Sequence, residues 1–319
     1  MIVSQTPLRI SILGGNTDFP EYYNQFGGSL LTTTIDKYIY CIVSKRFDNE
    51  IWINYSNKEM VTNVEDIKHD LVRECLKLVE ITGGIEITFL SDIPSSGSGL
   101  GSSGAVAVGL LNALYQFNGQ QVNNAILASL AVKVEIDILE KPIGVQDQII
   151  AAYGGLRHIR LGKIDNQVLK IDASETFIND FDNSLMLFYT NRTRQTDNIL
   201  KDMKLDKEIL GKTKKLADQA VTDLKLGKIR EIGKALDDYW ELKKKLNSKV
   251  SDEEINIMYK KAKKAGAIGG KIVGAGGGGF LLVMAEEGKK EAIRQALEGH
   301  KELKFKFSNA GSRIIFNNE

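Results

Sequence analysis

Residues 85–117, IEITFLSDIPSSGSGLGSSGAVAVGLLNALYQF, run from an alternating segment through a glycine-rich loop into an apolar one. Ile85, Ile87 and Phe89 share one face with polar residues between them, the period of a strand. Pro94 ends that ladder because it has no backbone N–H to donate. Gly97, Gly99, Gly101 and Gly104 then interleave with Ser95, Ser96, Ser98, Ser102 and Ser103, and Ala105 to Phe117 reads as an apolar helix. A glycine-rich loop feeding a helix N-terminus aims unpaired N–H groups and the positive dipole end at one spot, which suits phosphate. Composition alone also admits a flexible Gly/Ser turn. The order strand, loop, apolar helix favours the anion site.

Familiar phosphate loops fail against this stretch. Gly99, Gly101 and Gly104 satisfy G-x-G-x-x-G, but the acidic ribose partner expected about 20 residues on is replaced by NGQQVNNAIL. No G-x-x-x-x-G-K-[ST] occurs, and GGKIV at 269–273 lacks the hydroxyl. The H-R-D and D-F-G signatures of protein kinases are absent too. The nucleotide site is therefore of another kind: ATP through the serine and glycine loop, and no dinucleotide.

At 319 residues the chain is long enough for two domains, and 42 basic against 41 acidic residues argue against nucleic-acid or membrane-surface binding. Cys41 and Cys75 stand in apolar contexts without C-x-x-C spacing, which fits reduced core thiols in a cytoplasmic protein, though a disulfide stays open. The scattered His69, His158 and His300 argue against a histidine metal site. The N-terminus lacks the pattern of a signal peptide, and no apolar run reaches the roughly 18 residues of a membrane span.

Strands are expected over residues 2–13, 29–34, 37–45, 51–55, 156–161 and 168–171, and helical spacing predicts helices over 65–81 and 122–139. VQDQIIAAYGG opens a further short helix after the Pro142–Gly144 break. The polar run SETFINDFDNS reads as a domain junction, dividing the chain into 1–172 and 173–319. The second half carries a strand at 185–189, lysine-rich helices through Lys264, a strand at 280–285, a helix near 289–297 and strands at 303–307 and 313–316. This order of elements predicts α+β architecture in both halves. Five glycines fall within Gly274–Gly279, where a hairpin needs only one or two, so two backbones are expected to close on one ligand.

Three segments, TPLRISILGGNTD, PSSGSGLGSSGA and KIVGAGGGGF, resemble the first, second and third motifs of the GHMP small-molecule kinases, in order from Pro7 to Phe280. Within that family GGNTDFPEYYNQFGGSLLTTTIDKYIY looks most like the sugar 1-kinases that act on D-glycero-D-manno-heptose 7-phosphate. Gly104 stands where the second motif usually has alanine, and Gly15-Asn16 replace the Glu-His of the galactokinase form. The resemblance implies an N-terminal domain like ribosomal protein S5, a ferredoxin-like C-terminal domain, and an active site in the cleft between them. It implies a small-molecule sugar phosphate as acceptor, ATP and Mg²⁺ as cofactors, and a monomer or homodimer. A fucose-type 1-kinase, or a sugar-sensing member without catalysis, is the alternative.

Phosphoryl transfer to an alcohol needs the γ-phosphate cradled, its charge offset, and the hydroxyl held in line with its proton accepted. By resemblance, Pro94, Ser95, Ser96, Gly97, Ser98, Gly99, Leu100, Gly101, Ser102 and Ser103 bind ATP, and Ser103 and Glu135 supply oxygens to the metal. Asp147 matches the segment carrying the catalytic aspartate, although position alone also suits a helix N-terminal acid. Arg9 is placed beside it, stabilising a developing alkoxide. Asp18 matches a sugar-hydroxyl acceptor, or else an Asx turn, with Gly14, Gly15, Asn16 and Thr17 forming the pocket floor. Gly274, Ala275, Gly276 and Gly277 close on the same substrate. A distal phosphate calls for a basic residue, and Arg157, Arg192 and Arg194 are the candidates.

Overall fold

Two long strands carry the first half of the molecule: β1 (Ile2–Leu13) and the 18-residue β2 (Gly28–Lys45). The computed structural model describes residues 1–94, 97–192 and 196–318. Two strands were expected where β2 stands. The chain continues through Asp36 because its N–H is taken by the Lys306 carbonyl at 2.9 Å. Along one edge β2 pairs with β1; along the other it pairs in turn with three further strands.

Between and after them run α1 (Pro20–Phe26), β3 (Ile51–Asn54), β4 (Lys58–Val61), α2 (Asp70–Leu78), β5 (Ile85–Ser91) and α3 (Ser102–Phe117). Then come α4 (Asn124–Val132), α5 (Gln146–Tyr153), β6 (Arg157–Leu161) and β7 (Gln167–Lys170). The second half holds α6 (Glu175–Ser184), β8 (Leu185–Tyr189), α7 (Thr196–Lys201), α8 (Lys207–Lys225), α9 (Ile229–Leu246) and α10 (Glu253–Lys264). It ends in β9 (Ala267–Ile272), β10 (Phe280–Ala285), α11 (Lys290–Ala296), β11 (Glu302–Leu303), β12 (Phe307–Ser308) and β13 (Arg313–Asn317).

The first sheet has the order β13-β1-β2-β5-β3-β4, with β6 and β12 also on β2 and β7 on β6. The second has the order β11-β8-β10-β9. Among the described residues only β3 and β5 pair in parallel. One core lies under the first sheet, where Ile10, Leu31, Val43, Ile87, Val108 and Leu111 are fully buried. A second surrounds the smaller sheet, built on Trp240, Phe188, Leu281 and Val283. No helix among the described residues is long and apolar enough to cross a membrane.

Four expectations are corrected. The helix foreseen over 65–81 starts only at Asp70, because the Glu59 carboxylate takes the N–H groups of Lys68 and His69 at 2.6 and 3.1 Å and holds that backbone against β4. The helix foreseen over 122–139 gives way after Val132 to a π turn, Lys133–Ile138. The junction SETFINDFDNS is largely helix α6: the Ser174 side chain accepts from the Phe177 N–H at 3.2 Å, and buried Phe181 meets Phe307 edge-on at 5.8 Å. Finally, the strand foreseen over 303–307 is two strands in two sheets. β11 stays with β8, while β12 and β13 return to β2 and β1, so the stretch 173–319 contributes its last strands to the first sheet.

Since α6 has one cap and one anchor, the two can be weighed separately. Ser174→Ala should lower unfolding free energy by about 1 kcal/mol, and Phe181→Ala by about 3–5 kcal/mol, in urea titrations. Equal small losses would mean that Phe181 does not pin the helix to the sheet.

Candidate active site

Between β5 and α3 the loop turns through Gly97, Gly99 and Gly101, with φ of 71°, 74° and 78°. It lies against the third motif so closely that a Cβ on Gly274 would stand 2.7 Å from the Gly99 Cα. The two glycine-rich backbones thus touch each other, which explains glycine at both places. Helix α3 begins at Ser102 without a side-chain cap, and Ser102, Ser103 and Gly104 line a cleft of about 550 Å³. Its first N–H groups are therefore left for an anion. Ser95, Ser96 and Arg194 lie outside the described residues.

Arg9 enters the cleft from β1 just after a register shift between Pro7 and Arg9 that re-aims the strand. Its Nε and Nη2 donate to Asp147 Oδ1 and Oδ2, both at 2.7 Å, and its Nη1 donates to the Gly99 carbonyl at 2.5 Å. The Arg9 backbone N–H also binds the Leu100 carbonyl at 2.9 Å. One guanidinium thereby joins β1, the glycine loop and the first turn of α5. Gly104 permits this, because a Cβ there would meet the Asp147 Cβ at 2.8 Å. The glycine in place of alanine brings α3 against α5.

Asp18 is buried beside this pair. Its Oδ2 accepts the Gln146 N–H at 3.2 Å, and its carbonyl accepts the Val145 N–H at 3.1 Å, which ties the NTDFP loop to the start of α5. Burial first, and the Asp147 charge second, push its carboxyl up to about 6. Glu135, turned inward by the π turn, is fully buried and accepts from the Ser103 hydroxyl, from Gln148 Nε2 at 2.5 Å and from Lys141 Nζ at 3.2 Å.

Gly15, Asn16, Asp18, Gly274 and Ala275 line the cleft with Arg9 and Asp147. Other expected positions stand behind it. Thr17 holds the loop by donating to the Gly14 carbonyl at 2.7 Å and accepting the Ser29 N–H at 3.2 Å, and Gly277 donates to the Val250 carbonyl at 2.7 Å. Gly276 is also packed on Val250, Leu100 is buried, and Pro94 is absent from the wall. Two of the three arginine candidates turn elsewhere, and the third, Arg194, lies outside the described residues. Arg157 turns its Nε to the Gly154 carbonyl at 2.7 Å, and Arg192 pairs with Asp252 and Glu254, both away from the cleft.

Two buried lysines that the sequence reading missed stand at the cleft or behind its wall. Lys271 on β9 lines the cleft, fully buried, with its Nζ 4.6 Å from the centre of the Tyr239 ring, and burial pushes its ammonium well below the usual range. Lys243 on α9, donating to the Ile272 and Gly274 carbonyls, is lowered to about 7 by burial and then by Arg9. Lys271 had one visible signal, a lone charge in an apolar strand; Lys243 was hidden in a lysine run. Four buried polar atoms around the cleft have no partner among the described residues: Ser11 Oγ, Asn16 Nδ2, Gln146 Oε1 and Gln148 Oε1.

The raised Asp18 carboxyl has a consequence for stability. Its protonated form stabilises the fold fully below the free value of 3.8, and that contribution is lost as pH rises through about 6. Asp18→Asn, which keeps the acceptor for Gln146, should therefore be more stable than the parent at pH 7.5, by roughly 3 kcal/mol. The advantage should shrink as pH falls from about 6 towards 4 in thermal unfolding scans. An advantage independent of pH would show that the carboxylate is not strained.

Comparison with known proteins agrees with this geometry. The model of the GHMP kinases N terminal domain matches residues 67–155, and that of the GHMP kinases C terminal domain matches residues 220–302. The chain is 30% identical over 320 residues to a D-glycero-alpha-D-manno-heptose 7-phosphate kinase of Campylobacter jejuni, covering 93% of each. It is 25% identical to a galactokinase of Pyrococcus furiosus, covering 93% of this chain and 92% of that one. A putative sugar kinase of Campylobacter jejuni of known structure superposes with a TM-score of 0.78 at 27% identity, covering 98% of this chain and 97% of that one. A D-glycero-D-manno-heptose 1-phosphate kinase of Bacteroides thetaiotaomicron shares the fold, with a TM-score of 0.83 at 24% identity over the whole of both chains. With both halves matched by the family's models and a relative at 30% identity spanning nearly the full length, this chain belongs to the GHMP kinases, phosphotransferases whose acceptor is an alcohol group.

Proposed function

We propose that this chain is an ATP-dependent sugar 1-kinase acting on the anomeric hydroxyl of a sugar phosphate, D-glycero-D-manno-heptose 7-phosphate, to form the 1,7-bisphosphate. The observation that carries the sugar reading is the set of buried polar atoms, Ser11 Oγ, Asn16 Nδ2, Gln146 Oε1 and Gln148 Oε1, that have no partner among the described residues and whose residues line the same cleft as Asp18. Buried donors and acceptors without partners are costly, and a polyhydroxylated ligand offers both. The heptose is the acceptor named for the Campylobacter jejuni relative.

In this reading Asp147 takes the hydroxyl proton as the acceptor oxygen attacks the γ-phosphorus and ADP leaves. Arg9 holds that carboxylate by two bonds and stands where negative charge develops on the acceptor oxygen. The N–H groups at the start of α3 hold the phosphates. Ser103 and Glu135 fit Mg²⁺: they are hard oxygen donors that converge, and an ammonium, Lys141, is already drawn to both. When bound, the ion would offset charge on the transferring phosphoryl group.

The distal phosphate needs a cation without a carboxylate partner. Arg9 and Lys141 are paired with Asp147 and Glu135, whereas Lys201 and Lys271 in the cleft wall have no such partner among the described residues; of these two Lys271 is the buried one and is assigned this role.

The test is ADP release against heptose 7-phosphate, the dephosphorylated heptose, galactose, fucose and mevalonate, with and without Mg²⁺. Heptose 7-phosphate should be preferred; preference for an unphosphorylated acceptor overturns the assignment. Asp147→Asn should lower turnover by about two to four orders of magnitude with ATP affinity unchanged. Lys271→Met should raise KM for the 7-phosphate by about one to two orders of magnitude and leave KM for the dephosphorylated sugar unmoved. Equal effects on both sugars would remove Lys271 from phosphate recognition.

A further inference from the structure

Glu135 is 0% exposed. Of its three donors only Lys141 is a cation. The Lys141 ammonium stands 3.2 Å from Glu135 Oε1 and 3.4 Å from Ser103 Oγ, so a single positive group spans both oxygens assigned above to the metal. Backbone geometry builds this in. The Lys141 N–H donates to the Glu135 carbonyl at 3.0 Å, and Glu140 just before it adopts φ of +48° to make the turn. The cation is therefore carried by the same turn as the acid it neutralises. Unlike Glu135, the Lys141 side chain is 19% exposed and lines the cleft, so it has a path out.

A divalent ion held by these oxygens and an ammonium hydrogen-bonded to the same oxygens would strongly repel each other. The two cations exclude each other. We propose that Lys141 is a resident counter-cation of the metal site. It balances buried Glu135 while the site holds no metal, and swings into the cleft, towards the transferring phosphoryl group, when the metal enters. The site is thus kept assembled without metal, at the cost of weaker metal binding by the nucleotide-free protein. This inference rests on the reading that Ser103 and Glu135 are the metal's ligands.

The probe is Mn²⁺ alone, titrated into the full chain without nucleotide and followed by electron paramagnetic resonance and by thermal unfolding. Lys141→Met removes the competing charge and keeps most of the side chain's bulk. It should bind Mn²⁺ about tenfold or more tightly than the parent, a modest share of the repulsion expected at this distance. It should also melt lower than the parent in chelator, because Glu135 is then uncompensated, and recover when Mn²⁺ is added. The parent's melting point should barely respond to Mn²⁺. Lys141→Arg keeps the charge and should bind Mn²⁺ no more tightly than the parent, which separates charge from a packing defect. If Lys141→Met binds Mn²⁺ no better than the parent, or melts alike with and without it, the counter-cation role is wrong. Adding Glu135→Gln to Lys141→Met should abolish Mn²⁺ binding. Tight binding that survives that change would instead overturn the ligand assignment on which the proposal rests.

Discussion

The bidentate bond between Arg9 and Asp147 is the constraint from which the rest of the cleft follows. Both partners come from elements with other duties: Arg9 from a central strand of the first sheet, Asp147 from the first turn of α5. A guanidinium buried on a strand is costly unless its donors are met. Here two donors meet the carboxylate and a third meets the Gly99 carbonyl, so the sheet, the helix and the loop are brought into one register. Moving any one of the three would strand a buried charge. The rigidity of the site is thus set by electrostatics as much as by apolar packing.

Close backbone approach is the second device. Gly99 against Gly274 lets the loop of the first half rest directly on the third motif of the second, and Gly104 lets α3 press against Asp147. Side chains at these points would hold the surfaces apart by more than an ångström, which is large beside the tolerance of phosphoryl transfer. The glycines cost chain entropy, and what they offset it with is the close approach of the loop, the third motif and Asp147.

The cleft also concentrates buried charge beyond that pair. Asp18, Glu135, Lys243 and Lys271 are all buried, and the charges of Arg9 and Asp18 reach both lysines. Burial pushes Asp18 up and both lysines down, each towards its neutral form. A ligand bringing phosphate and hydroxyl groups would supply the counter-charges and hydrogen bonds that the protein leaves open.

How much of this was legible before the fold was known depends on the range of each interaction. Local signals sufficed for the α+β class, the glycine-rich loop between strand and helix, the close approach of a backbone at the second glycine cluster and, through resemblance to a family, the closeness of Arg9 to Asp147 and of Ser103 to Glu135. Such features depend on residue type and short spacing, which a chain carries on its face. What tertiary structure alone decided are matters of long-range placement. Polar SETFINDFDNS becomes a helix because Phe181 finds Phe307 across 126 positions of chain, and the last strands cross to the first sheet because β1 and β2 present free edges there. Arg157 and Arg192 carry the right charge but find a carbonyl and two carboxylates elsewhere. Lys141 looked like an ordinary lysine and Lys271 showed only a lone charge in an apolar strand, until the fold put both in the cleft wall. A side chain's charge is written in the sequence; the desolvation and the partners that give that charge its role exist only once distant segments meet.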